Sequence, residues 1–112
     1  HLYRRRQRQM CIRDRTLSRM HLSLTNTLVL QQVTPWVEPI IVVCGLEYGL
    51  KAILYHSGEC PLSGHYIAVV RHGASTEDFW FYDDLKPRRC ASEIERTGQA
   101  VGYKVFAVMY ER

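Results

Sequence analysis

The sequence predicts a predominantly antiparallel β-sheet of the α+β class, and three observations predict it. From Ile40 onward the chain is built of short apolar runs rich in β-branched and aromatic residues. Gly, Pro, Ser and Asp separate these runs, as turns require. Before them, His1 to about Met20 is Arg- and Gln-rich and has neither helical nor strand periodicity.

Residues 1–20 therefore read as a disordered basic arm, and the sequence allows Tyr3 to Arg15 to be non-native sequence joined upstream. The boundary of this arm is expected between Met20 and Gln32. Residues 21–39 carry scattered apolar positions with Thr and Asn, punctuated by Pro35 and Pro39, and their state is left undecided. Residues 40–112 form the folded part. Strands are expected near Tyr48 to Tyr55, His65 to Arg71, Asp78 to Tyr82 and Gly102 to Tyr110, with a further short one at Ile40 to Val43. Two of these runs, Ile67 to Val70 and Phe79 to Tyr82, are apolar at successive positions, which predicts cover on both faces. Ser92 to Arg96 offers a capped helical turn ending before Gly98.

The net charge of +4 over 112 residues is unevenly placed. His1 to Arg19 holds seven arginines against Asp14, giving +6, and the other eight basic and ten acidic residues leave −2. Nucleic-acid binding is thus a property of the arm at most, and no recognition motif supports it. The four cysteines, Cys11, Cys44, Cys60 and Cys90, form no C-x-x-C pair, so neither a zinc ribbon nor a redox motif is suggested and no metal site or cofactor is expected. Reduced thiols point to the cytoplasm and/or the nucleus. No apolar run approaches the roughly 20 residues of a membrane span, and the basic start lacks the apolar core of a secretory signal. The chain opens on His1 rather than Met, which reads most simply as part of a longer reading frame.

The informative stretch is Tyr48 to Tyr66, YGLKAILYHSGECPLSGHY. Tyr48, Leu50, Ala52, Ile53, His56, Gly58, Gly64, His65 and Tyr66 stand at set spacing, with five residues between the two glycines. This pattern resembles the histidine-box signature of ubiquitin-specific proteases, papain-like cysteine deubiquitinases. The likeness continues through Ile67 to Arg71, the aromatic run ending in Tyr82, Asp83 and Asp84, and the closing stretch Tyr103 to Arg112. It covers Tyr48 to Arg112 and implies the C-terminal sheet portion of a papain-like cysteine protease fold. Ubiquitin and ubiquitinated proteins are the implied partners.

The chemistry is legible without the family name. A thiol needs a base near neutral pH, and an unperturbed imidazole, with a pKa of about 6.5, is suited to that. The imidazole needs an acceptor on its second nitrogen to fix its tautomer. If His65 to Arg71 and Phe79 to Asp83 form a hairpin around Gly73 to Thr76, residues whose numbers sum to 148 face one another, and His65 meets Asp83. A one-residue slip would bring Asp84 opposite instead. The resemblance favours Asp83 as the orienting carboxylate, with Asp84 in reserve.

Gly58 and Gly64 on their own would mark an ordinary turn. Beside His65 and Tyr66 they read as a loop that lets a substrate backbone pass close. By resemblance this loop borders the groove for the C-terminal tail of ubiquitin, lined by Gly64 and Tyr66, while His56 either lines it or has a structural role. None of the four cysteines stands in the Gly-Asn-x-Cys-Tyr type of box, opening a helix, that the family uses for its nucleophile. The expectation is a deubiquitinase part that supplies the base and its partner, is inert alone, and exposes apolar surface where the remaining half packs. The alternative is a ubiquitin-binding pseudoenzyme.

Overall fold

In a computed structural model the chain is described at residues 17–22, 27–32 and 36–112, with side chains at 27–30 and 36–112. Among the described residues eight strands form a single sheet: β1 (Leu17–Leu22), β2 (Thr27–Gln32), β3 (Ile40–Val43), β4 (Leu46–Ser57), β5 (His65–Arg71), β6 (Phe79–Tyr82), β7 (Arg89–Cys90) and β8 (Lys104–Glu111). A short helix, α1 (Glu93–Arg96), lies between β7 and β8. The order is β1-β2-β8-β4-β5-β6-β7, with β3 paired to the start of β4, and every pairing is antiparallel. The chain is thus mostly antiparallel sheet.

The 12-residue β4 is the spine. It pairs with β3 at Leu46 to Gly49, with β8 at Gly49 to His56, and with β5 at Ala52 to Ser57. Its buried apolar positions are Tyr48 and Leu50 and then Ile53 and Tyr55, so the side facing the core changes from even to odd numbers. Lys51 makes the change: Leu50 pairs with Tyr110 and Ala52 with Met109, which leaves Lys51 bulged out. The bulge is held by a Lys51 Nζ hydrogen bond of 2.9 Å to the Arg71 carbonyl.

The core occupies one face, where Leu28, Leu30, Leu50, Ile53, Tyr55, Ile67, Val69, Val108 and Tyr110 meet. Two segments cover it. Val37 is buried and its N–H donates to the Thr97 carbonyl, and Ala100 is buried in the same cluster. Buried tyrosines tie both covers down: Tyr110 donates to the Glu38 carbonyl at 2.7 Å and Tyr55 to the Glu95 carbonyl at 2.6 Å. Burial pushes the Tyr55 hydroxyl up to about 12, so it stays a neutral donor. The opposite face carries Leu54, Ala68, Val70, Trp80 and Tyr82, each half-buried. Among the described residues, only one face is closed, where the apolar runs predict cover on both.

The expected strands are present, each within a few residues of its expected limits. Strand β1 begins at Leu17, ahead of the boundary expected between Met20 and Gln32, because its backbone is paired to β2 and β2 to β8. The rest of the arm, residues 1–16, lies outside the described residues. Strand β7 has no counterpart in the sequence reading, being two residues of edge strand against Trp80 and Phe81.

Helix α1 is short but doubly anchored. Ser92 and Glu95 form a reciprocal capping box, and Glu95 also takes Arg89 in a two-pronged pair at 2.7 and 2.8 Å. The Arg89 guanidinium, helped by the Ser92 backbone N–H, pulls the Glu95 carboxyl down to about 2 against the opposing effect of burial. A depressed folded-state value means stability that is complete above the ordinary glutamate range and lost as pH falls through about 2. Replacing Glu95 by Gln is expected to cost about 1–3 kcal/mol at pH 7. Denaturant titration should show the deficit shrinking as the pH is lowered toward 2.

Candidate active site

Strand β5 opens on His65, paired to Ser57 at the end of β4, so its ring lies where the core face runs out. Asp83 follows directly on β6. The observed β5–β6 register joins Ala68 to Tyr82 and Arg71 to Phe79, a sum of 150 rather than the expected 148. The cause is the turn. It uses five residues, closed by His72 N–H on the Asp78 carbonyl and centred on Ser75, whose Oγ accepts from the Glu77 N–H. A two-residue shift preserves the side on which a residue points. His65 and Asp83 therefore share a face as diagonal rather than opposed neighbours, a separation long side chains bridge.

They do bridge it. His65 Nε2 is 2.5 Å from Asp83 Oδ1. The Asp83 side chain is 11% exposed, and its second oxygen lies 3.4 Å from Lys86 Nζ. The His65 hydrogen bond, with a smaller contribution from Lys86, holds the Asp83 carboxyl below its usual range although burial opposes this. Asp83 is thus an acceptor, which makes Nε2 the donor and leaves Nδ1 as the lone-pair nitrogen of the neutral ring. Asp84 is also at the ring: left-handed backbone (φ 41°) brings its Oδ2 to 3.4 Å from Nδ1. Both candidate carboxylates contact His65, one on each nitrogen, and they differ in burial, since the Asp84 side chain is 70% exposed.

The Gly58–Gly64 loop closes over this end of the sheet. Both glycines have positive φ, 125° and 99°. A Cβ on Gly64 would collide with the Ser57 carbonyl, so the residue before His65 must be glycine on grounds of both conformation and space. His56 and Tyr66 are cross-strand partners on the face opposite His65, with ring centroids 4.5 Å apart. Their polar atoms reach the loop: His56 Nε2 lies 2.7 Å from the Ser63 carbonyl, and Tyr66 OH donates to the Pro61 carbonyl at 2.6 Å.

Two residues of this site are not singled out in the sequence reading. Tyr103 packs its ring against both Tyr55 and His65, each at 6.4 Å, and with His56, Ser57, Gly58, Gly102 and Lys104 it lines a cleft of about 270 Å³ beside the histidine. Its one signal is position, an aromatic directly after the glycine that opens β8. Phe106 has none. Regular alternation from Tyr110 and Val108 would turn it into the core, but Leu54 pairs with Ala107 and Tyr55 with Val105, so Phe106 is bulged. Its ring instead meets Tyr66 edge-on at 5.4 Å and His56 at 6.4 Å. Of the described cysteines, Cys44 sits in the β3–β4 turn, at the other end of β4 from Ser57, and Cys90 sits on edge strand β7. Cys60 lies in the loop, exposed.

The arrangement can orient an imidazole and accept a proton at Nδ1. Residues 3–106 match the family model described as ubiquitin carboxyl-terminal hydrolase. No curated protein matches the chain.

The neutral His65 ring is expected to carry its proton on Nε2, readable from the two imidazole ¹⁵N shifts. Asp83→Ala should abolish that preference and Asp84→Ala should leave it. Gly64→Ala should lower the melting temperature and broaden the His65 resonances, because the added methyl meets backbone rather than a movable side chain.

Proposed function

The chain belongs to the ubiquitin carboxyl-terminal hydrolase family, and on that premise we propose that it supplies the general base and orienting carboxylate of a cysteine-type deubiquitinase. Members of this family are thiol proteases that act on ubiquitin and ubiquitinated proteins. The observation that carries the reading is the short contact from His65 Nε2 to the buried Asp83.

On this reading the thiol comes from an upstream segment and not from Cys11, Cys44, Cys60 or Cys90, none of which stands in a helix-opening cysteine box. His65 Nδ1 takes the thiol proton, and the thiolate attacks the carbonyl carbon of the ubiquitin C-terminal isopeptide bond. The ring is then an imidazolium, both of whose nitrogens donate, and Asp83 balances its charge. As the carbon–nitrogen bond breaks, Nδ1 returns the proton to the departing lysine amine. Water, deprotonated by the same nitrogen, then cleaves the thioester and releases the ubiquitin carboxylate and the thiol. Gly64, beside His56 and Tyr66, borders the groove through which the tail of ubiquitin reaches this point. The site of action is the cytoplasm and/or the nucleus.

A second reading, a ubiquitin-binding pseudoenzyme, draws on Asp84. Its carboxylate occupies the Nδ1 side, where a thiol has to sit. The first reading requires Asp84, whose side chain is exposed, to give up its contact with Nδ1 and swing aside.

The 112-residue chain is expected to leave a fluorogenic ubiquitin C-terminal amide intact, and the same chain joined to an upstream segment bearing a cysteine box is expected to hydrolyse it. In the joined protein His65→Ala should cost about 10²–10⁴-fold in kcat, the range for loss of a general base. Turnover by the chain alone that disappears on Cys60→Ala would identify a different nucleophile. An inactive joined protein that still binds ubiquitin would favour the pseudoenzyme.

A further inference from the structure

We propose that Tyr66 and His56 are positioning residues that act on His65 through the Gly58–Gly64 loop, each by holding one loop carbonyl. Only its kinetic consequence rests on the deubiquitinase reading. Residues 58–64 are all exposed, and Leu62 is 96% exposed, so no apolar packing fixes the loop. What fixes it is polar. One hydrogen bond is internal, Ser63 N–H to the Cys60 carbonyl at 3.1 Å. The other two come from the sheet, from Tyr66 OH to Pro61 and from His56 Nε2 to Ser63. Both donors point at the half of the loop that runs directly into His65.

The donors are themselves held. His56 is buried to 9% exposure, and its ring lies against Tyr66 at 4.5 Å. Phe106, turned to this face by the β8 bulge, stands edge-on to Tyr66 and backs both rings. The chain of contact runs from Phe106 through Tyr66 and His56 to Pro61 and Ser63. It continues through Gly64, whose φ of 99° leaves a pivot next to the base. Gly64 cannot resist a shift of the loop by itself, and the two hydrogen bonds can. Their loss should loosen the backbone that carries His65 without touching the Asp83 contact, which lies on the other face of the sheet.

The test is ¹⁵N relaxation of the 112-residue chain as wild type, Tyr66→Phe, His56→Phe and His56→Gln. Tyr66→Phe removes one oxygen and keeps the ring. His56→Phe keeps the ring stack and removes the donor, whereas Gln can still donate to Ser63. The Ser63 and Gly64 amides should fall from order parameters of about 0.85 toward about 0.6 or below in the two Phe variants, and Gln should restore them. Amides of Ile53 and Val108 should not change. In the joined, thiol-bearing protein, Tyr66→Phe should lower kcat about tenfold and leave KM within about twofold, the split expected of a group acting on the base rather than on bound substrate. Unchanged order parameters in both Phe variants would overturn the proposal. So would a rise in KM at constant kcat, which would return the Tyr66 hydroxyl to direct substrate contact. The relaxation result stands whether or not the joined protein hydrolyses ubiquitin.

Discussion

Strand β4 is hydrogen-bonded along both edges for most of its length, and this double commitment constrains everything else in the chain. A strand with neighbours on both sides cannot slide or rotate to suit one of them alone. Its bulge at Lys51 therefore has to be absorbed, and the second bulge, at Phe106 on β8, lies nearer the other end of the same pairing. Between the two, Ile53 faces Val108 in the core. Beyond the second, the side of β8 that faces the core is carried by Val105 and Tyr103, and Phe106 has gone to the open face. The pair of irregularities gives the site end of the sheet a different set of side chains on each surface from that which a regular ladder would present.

This division sorts the chemistry. His65, Asp83 and Tyr103 lie on the core side, where burial of the carboxylate favours a fixed ring and tautomer. His56, Tyr66 and Phe106 lie on the other side, where their rings pack together and their polar atoms are free to reach over the strand end to the loop. On the reading proposed above, one surface would set the electronic state of the base and the other would hold the backbone that carries it. The loop connects the two through a single glycine.

Much of this was legible in the sequence, for identifiable reasons. The strands were readable because runs such as HYIAVVR and FWFY have few alternatives to extended structure. The helix start was readable because Ser92 is a natural cap and an acidic residue follows it directly. His65 and Asp83 could be brought together even with the hairpin register misjudged by two, since an even error keeps both residues on one face. What could not be read were features set by pairing rather than composition: the five-residue turn centred on Ser75, the approach of Asp84 to the second ring nitrogen through left-handed backbone, and both bulges. A bulge leaves no mark in the hydropathy of its own residue. Lys51 and Phe106 look like ordinary members of an alternating strand until their partners are known.

The Lys51 bulge also bears on which genetic changes this chain can survive. Deleting one codon between Leu50 and Ile53 would leave composition, net hydropathy and almost every residue of the histidine signature in place. The reading frame would be intact as well. The deletion would also restore a regular ladder without inverting the strand, because Ala52 would then follow Leu50 directly and Ile53 and Tyr55 would still face the core opposite their present partners on β8. Deleting a codon within Ile53 to Tyr55 would instead remove a residue paired on both edges and turn the remainder of β4 over. In the exposed Glu59–Ser63 stretch, by contrast, a length change would be felt first by the loop and its two carbonyl anchors, and the strands on either side would keep their facing.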